Sequence, residues 1–381
     1  MRNQLNRTFA VAITKNAPRL VLLPSTGSDN LVDHIQPFAI DAHYLDKVGN
    51  TPLIPIELRI HNRNRTIWLK LEGHNPGGSC KDRTALSLIA SLEQNNKLPE
   101  GSVVVESTSG NLGIALSWIC NAKGYKFIAV VDPKLTLENR QRLERLGAQL
   151  ELVDRADCAG GYLITRLERV RELLGTSGKY LWTNQYSNPA NPLVHYRTTG
   201  PEIYEQSSGK ADAVFVPVST GGTAAGIGAF FRRKKLSTQI IGIDAVGSMV
   251  FSNTSGRRHL TGIGSSRKSE FLTPNLYDHH LLVSDGRAIA FCRLLDKVYG
   301  LKLGGSSGAT VAACAEYLAN FPDVEYPVCM CPDRGENYES SIYDEAWIKS
   351  HRIDVDYATA ERFFPTGRLV MPVDLKYDCV I

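Results

Sequence analysis

Apolar runs rich in β-branched residues alternate along the chain with segments whose apolar positions return at helical spacing. SVVVEST precedes GIALSWICNAKG, KFIAVVD precedes LENRQRLERLGA, AVFVPVST precedes TAAGIGAFFRRKK, and IIGIDA follows. This alternation predicts parallel strands joined by crossover helices, an α/β fold. Gly124 and Gly147 each close a periodic stretch, as a left-handed helix cap does. Residues 1–43 carry Pro18, Pro24, Gly27 and Pro37 among short mixed segments and read as an extension laid over the domain. Residues 350–381, with Pro365, Gly367 and Pro372, read as a C-terminal tail. No tandem repeat or low-complexity tract interrupts the pattern.

In such a fold, ligands sit beyond the carboxyl ends of the strands, where loops run into helix N-termini and backbone amides face outwards. Three glycine-rich segments take that position: SGNLG (109–113), STGGT (219–223) and GGSSGA (304–309).

With 381 residues the chain exceeds one typical domain and predicts two packed lobes. Lys plus Arg number 43 against 39 for Asp plus Glu, so no strong basic field argues for nucleic acid or an anionic membrane. Any preference for anions has to be local. No stretch approaches the roughly 20 apolar residues of a membrane span, and a cytoplasmic protein is expected. The eight cysteines are scattered, with no CxxC pair and no histidine at zinc-ligand spacing, which predicts reduced thiols and no metal. Cys329 and Cys331 alternate within VCMC and should face one side of a strand.

The first chemical constellation is NPGGSCKDR (75–83), where a Pro-Gly-Gly turn delivers Lys81 to the start of a helix. The positive end of the helix dipole opposes an ammonium there and favours the nucleophilic amine, as a Schiff-base lysine requires. STGGT is the second: glycines let the backbone approach a ligand, and Ser219, Thr220 and Thr223 offer hydroxyls to phosphate oxygens. It lacks the GK[ST] ending of an ATP-binding loop, and GIGAFF lacks the third glycine of a dinucleotide fingerprint. ESTSGNLG (106–113) suits a carboxylate at a helix start, and GGSSGA offers Ser306 or Ser307 to a heterocycle nitrogen. Each motif alone reads equally as an ordinary turn.

Taken in order over residues 44–347, NPGGSCKDR, TSGNLG, NQYSNPANP, STGGT and GGSSGA resemble the cysteine synthase and cystathionine β-synthase family of fold type II pyridoxal-phosphate enzymes. A closer likeness, in ESTSGNLGIAL, VVDPK, GGYLITR, NQYSN, DAVGSMVF, GIGSSR and CPDRGENY, is to the siderophore-biosynthesis branch of that family. That branch joins O-phospho-L-serine to L-glutamate with release of phosphate, on a route to 2,3-diaminopropionate.

The resemblance implies a two-lobed fold with pyridoxal 5'-phosphate as cofactor. Its large cofactor-binding lobe would comprise residues 44–85 and 190–349, and a small mobile substrate lobe residues 86–189. It also implies a homodimer acting on small amino acids. Lys81 would carry the cofactor as a Schiff base and move the substrate's Cα proton. Asn111 would meet the ring oxygen, the loop Ser219, Thr220, Gly221, Gly222 and Thr223 the phosphate, and Ser306 the pyridine nitrogen. Thr108, Ser109, Gly110 and Gln185 would bind the substrate carboxylate. Arg166 and Tyr186, like Ser219, match positions that the closer relatives need for activity, and Arg166 is a natural fork for a carboxylate or phosphate. A serine at the pyridine nitrogen makes the cofactor a moderate electron sink, which favours loss of a β-leaving group and replacement in two steps.

Two departures from the wider family, Leu112 in place of a threonine and Ser219 in place of a glycine, are shared with the siderophore branch. They weaken the alternative of a cysteine synthase using O-acetylserine or O-phosphoserine with sulfide. The Cys and His pattern of haem-binding members is missing from the N-terminal extension, so no haem is expected. A non-catalytic relative that keeps the fold for binding is the other alternative, against which Lys81 and the phosphate loop stand intact.

Overall fold

The computed structural model describes residues 41–94, 98–156, 161–365 and Gly367. Most of the expected N-terminal extension, residues 366 and 368–381 of the expected tail, and Cys158 and Cys379 lie outside them.

Strands β1 (Leu53–Ile60) and β2 (Arg63–Leu71) form an antiparallel hairpin. His61 and Asn62 turn it, both at positive φ (49° and 60°), the two-residue geometry whose twist matches that of paired strands. After β2 the chain enters α1 (Lys81–Gln94). Strands β3 (Val103–Ser107), β4 (Lys126–Val131), β5 (Gln149–Leu152) and β6 (Tyr180–Trp182) then alternate with α2 (Asn111–Lys123), α3 (Leu137–Arg145) and α4 (Leu163–Thr176). They build a parallel sheet of order β5-β4-β3-β6. Gly124 caps α2 at φ 76°, and Gly147 follows α3 at φ 85°, as their positions in the sequence predict.

A short helical run, α5 (Ala190–Val194), a π-helical turn (His195–Thr199) and α6 (Gly200–Gln206), leads to β7 (Ala213–Pro217) and α7 (Gly222–Arg233). Strands β8 (Gln239–Ala245) and β9 (His279–Val283), helices α8 (Asp285–Tyr299) and α9 (Gly305–Asn320), and strand β10 (Pro327–Cys331) complete the second sheet. Among the described residues its order is β1-β2-β10-β7-β8-β9, parallel except at the hairpin.

Both sheets are covered on both faces, which is why their central strands carry almost no polar residue. Ile54, Ile56, Leu58 and Ile60 of β1 pack with α8 and α9 in one cluster, and Val214, Val216 and Ile240 pack with Ile227 and Phe231 of α7 in another. Cys329 and Cys331 enter the first cluster and Val328 and Met330 the second, so the two cysteines share a face as expected. In the smaller sheet, Val104, Phe127 and Ala129 meet α1 and α2, while Val105, Ile128 and Val130 meet α4.

The strands of the smaller sheet all fall within 86–189, and those of the larger within 44–85 and 190–349. Residues 350–365, read in the sequence as part of a tail, are packed: Ala360 of α11 (Tyr357–Ala360, after α10, Glu345–His351) and Phe364 are buried against α8.

Candidate active site

Strands β3, β4, β7 and β10 all end at one cavity of about 670 Å³, and the loops that follow them line it. Lys81, Thr108, Ser109, Gly110, Asn111, Arg166, Gln185, Tyr186, Ser219, Thr220, Gly221, Thr223 and Ser306 meet there. Of the candidate site residues singled out in the sequence, Gly222 and Ser307, the alternative to Ser306, stand behind the wall. A Cβ on Gly222 would come 2.2 Å from Asn191 Oδ1, so the glycine serves close packing.

Lys81 is the first residue of α1, and the turn before it is held by its own helix. Asp82 accepts the Gly77 N–H at 2.6 Å and the Trp118 Nε1–H at 3.0 Å. Burial pushes the Asp82 carboxyl up to about 7 against those two bonds. Arg83 points the other way, into a buried ionic knot. It donates to Glu72 (Nε 2.7 Å, Nη2 2.8 Å) and to Glu202 (Nη1 2.6 Å, Nη2 2.7 Å), and Lys70 adds a second cation 2.7 Å from Glu202. The KDR triplet thus aims its first residue at the cavity and uses the other two to fix the helix start.

Gly221 takes φ 89° at the entry to α7, where a Cβ would lie 2.0 Å from Ser269 Oγ. The first N–H groups of α7 have no intrahelical acceptor and form the anion cradle that a phosphate needs. Ser219 Oγ donates to the Gly264 carbonyl at 3.0 Å, and Thr223 Oγ1 lies 3.2 Å from His195 Nε2. His195 is buried, and burial together with the Lys81 and Arg83 charges pushes it down to about 3, so it stays neutral. Asn191 links two motifs, donating to the Gln185 carbonyl (2.8 Å) and to Thr220 Oγ1 (3.2 Å). Within NQYSNPANP, Asn191 therefore braces the STGGT loop, while Asn188 ties its own segment, donating to the Thr183 carbonyl at 3.1 Å.

On the facing side, Glu106 is fully buried and accepts from Ser107 N, Trp182 Nε1, Thr183 Oγ1 and Gln185 N at 2.6–3.1 Å. This fan of donors holds the Thr108–Asn111 loop next to Gln185. Arg166 Nη1 reaches Ser109 Oγ (3.3 Å) and Asp132 Oδ2 (3.2 Å), while its Nε is buried without a hydrogen-bond partner. Tyr186 lies under Arg267, 5.4 Å from ring centre to guanidinium carbon.

Sequence reasoning gave Asp333 no role. It follows β10, is 1 % exposed and accepts from Asn111 Nδ2 at 2.5 Å and from Tyr338 OH. Asn337 accepts from Arg142 of α3 and donates to Asn111 Oδ1 at 3.3 Å, so a chain of amides runs from one sheet's helices to the other's loop. Burial raises the Asp333 carboxyl to about 6 against the bonds from Tyr338 and Asn111 and the Lys81 charge. CPDRGENY carries these residues, but no spacing rule marks them as cavity-facing.

The charge balance of the wall is one-sided. Lys81, Lys134, Arg166, Arg257 and Arg258 line the cavity, and Asp333 is its one carboxylate among the described residues. Six described cysteines are free and buried, and no group of histidine, cysteine and carboxylate side chains that could hold a metal occurs among the described residues. No described helix is long and apolar enough to cross a membrane.

A helix-start lysine, a glycine cradle at a second helix start and a buried serine at a third form the set that pyridoxal phosphate requires: an amine, a phosphate seat and a polar partner for the ring. Residues 44–333 match the family model described as pyridoxal-phosphate dependent enzyme, and the chain belongs to that family. Its two-sheet architecture is that of the fold type II members, and pyridoxal phosphate is its cofactor. A hydrogen sulfide-producing enzyme from Fusobacterium nucleatum superposes with a TM-score of 0.72 at 30% identity, covering 79% of this chain and 98% of its own. Among curated proteins, N-(2-amino-2-carboxyethyl)-L-glutamate synthase of Cupriavidus metallidurans is 41% identical over 307 residues, 80% of this chain and 90% of that protein. The same-named protein of Ralstonia nicotianae is 41% identical over 304 residues, with the same coverage.

Proposed function

We propose that the protein replaces the phosphate of O-phospho-L-serine by the amino group of L-glutamate, giving N-(2-amino-2-carboxyethyl)-L-glutamate and phosphate. The cationic wall carries this reading. The two substrates bring a phosphate and three carboxylates into one cavity, and anions taken from water cost several kcal/mol each unless fixed cations and donors meet them. Sulfide and an acetyl ester make no such demand. The 41% identity to two synthases of that name supports the same assignment.

Pyridoxal phosphate, when bound, supplies the electron sink that makes the Cα proton acidic and the β-substituent a leaving group. Lys81 holds it and takes the Cα proton. Ser219, Thr220, Gly221, Gly222 and Thr223 seat its phosphate, Asn111 meets its ring oxygen, and Ser306 its ring nitrogen. Thr108, Ser109, Gly110 and Gln185 orient the α-carboxylate of the amino-acid substrate. Residues 86–189 close over it and exclude water. Tyr186 and Arg166 serve the second substrate.

The order of events is open to measurement. O-phospho-L-serine alone should release one phosphate per active site, and L-glutamate added afterwards should restore turnover, with O-acetylserine the poorer first substrate. If O-acetylserine reacts readily, phosphoserine does not, and sulfide is the nucleophile consumed, the cysteine-synthase reading replaces this one.

Arg166 separates the two halves of the reaction. Its orphan Nε is a buried donor of the kind a substrate oxygen satisfies. Arg166→Ala should still release phosphate from phosphoserine yet lose the reaction with glutamate. Arg166→Lys, unable to offer two parallel bonds, should also be impaired. A variant that fails already at phosphate release would assign Arg166 to the first substrate or to closure.

A further inference from the structure

Lys134 and Arg257 stand on different walls of the cavity, and the catalytic assignments use neither. Lys134 lies between β4 and α3 in a turn fixed by its own backbone, Lys134 N donating to Asp132 Oδ1 at 2.9 Å. Its ammonium sits 5.5 Å above the Tyr162 ring. Arg257 belongs to the loop between β8 and β9, and its neighbours are pinned. Gly256 N donates to Gly247 O (2.9 Å), Arg258 to Gly247 O and Ser266 Oγ (3.2 and 3.1 Å), and His259 N to Asp285 Oδ2 (2.7 Å).

Both cations are exposed, both line the cavity, and neither has an ion-pair partner among the described residues. His259 lines the same cavity and feels both charges, and its ring is 4.9 Å from that of His351 and 6.2 Å from that of Trp347. Burial keeps His259 below its ordinary value, and the surrounding charges of Arg257, His351 and Lys134 work in the same direction, against Asp285. The Asp285 carboxylate is already taken by the His259 and Leu260 N–H groups. Lys134, Arg257 and Arg258 thus gather like charge on this part of the cavity wall around an aromatic floor, offset only in part by Asp285, which faces the loop backbone, and such a gathering favours an anion there.

We propose that Lys134 and Arg257, over His259, form the subsite for the side-chain carboxylate of the incoming dicarboxylic amino acid. The inference rests on the reading given under Proposed function and adds to it how the nucleophile is selected. One end of that amino acid bridges the two walls at the rim, so its amino group is directed inwards. Its distal carboxylate remains half-solvated, so each contact is modest and the pair together sets the preference.

The test uses the holoenzyme with saturating O-phospho-L-serine and compares L-glutamate with L-glutamine, which has the same shape without the side-chain charge. In Lys134→Ala/Arg257→Ala, KM for glutamate should rise roughly tenfold with little change in kcat, and the glutamate-to-glutamine preference in a mixed reaction should fall by the same factor. Lys134→Arg/Arg257→Lys should restore both. Equal losses for the two amino acids, or an unchanged KM for glutamate, would overturn the subsite. If the wild type consumes no glutamate, that result, seen before any variant is made, sinks the proposed reaction and the subsite with it.

Discussion

Lys81→Ala is expected to stay folded, to lose the absorption band of a lysine-bound cofactor after reconstitution with pyridoxal phosphate and to turn over slower by roughly 10⁴-fold or more, because one amine both carries the cofactor and moves the proton. The surroundings of Lys81 explain why nothing else can substitute. Its neighbour Asp82 is clasped by Gly77 and Trp118, His195 is held neutral, and Asp333 is engaged by Asn111 and Tyr338. Among the described residues the one other lysine lining the cavity is Lys134, which is exposed. Visible absorption, circular dichroism and turnover settle the matter together. A Lys81→Ala variant that keeps this band and its activity, or a wild type that never takes up colour, refutes the assignment.

The second large effect concerns stability. Arg83→Met removes the guanidinium that binds Glu72 and Glu202 at once, leaving Glu72, fully buried, with the Thr51 and Asn75 hydrogen bonds and the Lys70 charge. Breaking one side of a buried ion pair costs about 3–5 kcal/mol. Its pH dependence has a definite sign. Burial raises the Glu72 carboxyl, but the Arg83 charge and hydrogen bonds, with Lys70, outweigh it and hold the carboxyl at about 2. A folded value below the unfolded one stabilises above the unfolded value and is lost as pH falls through about 2, so in wild type the contribution of this group is fully present and does not vary between pH 5 and 8. Without Arg83, burial lifts the folded value above the unfolded one, and stability then falls as pH rises. The melting temperature of Arg83→Met should therefore lie furthest below wild type at pH 8 and approach it towards pH 5. An unchanged melting temperature at pH 8, or a deficit that widens in acid, contradicts this account.

The strands most legible in the sequence are those buried on both faces. SVVVEST, KFIAVVD, AVFVPVST and IIGIDA became β3, β4, β7 and β8, because a run of β-branched residues closed by a turn rich in glycine, proline or hydroxyl residues has few other solutions. The hairpin was not legible. His-Asn carries none of the Asn-Gly or Asp-Gly signal, and LIPIELRI alternates too weakly with charge to announce an antiparallel pair. The glycine and hydroxyl loops of the site could be found because a cradle for an anion needs small residues at fixed places. Asp333, Asn191 and the Arg83 knot could not, since each is completed by a partner far along the chain: Asn111 lies 222 residues from Asp333, Thr84 107 from Asn191 and Glu202 119 from Arg83. Lys134 and Arg257 look like any surface cation until the cavity is drawn around them.

Strand β10 sits in the middle of the larger sheet, between β2 and β7, although among the described residues it is the last strand to be made. On a ribosome the parallel sheet of β3 to β6 is a contiguous stretch and can fold as soon as it emerges. The larger sheet cannot close, because β2 and β7 each wait with an unpaired edge until Pro327–Cys331 appears, on the order of ten seconds after β7 at ordinary rates of synthesis. During that interval the nascent chain exposes two apolar strand edges to its neighbours. The demand on chaperones, and the tendency of truncated translation products to aggregate, should accordingly concentrate in chains that stop between β7 and β10.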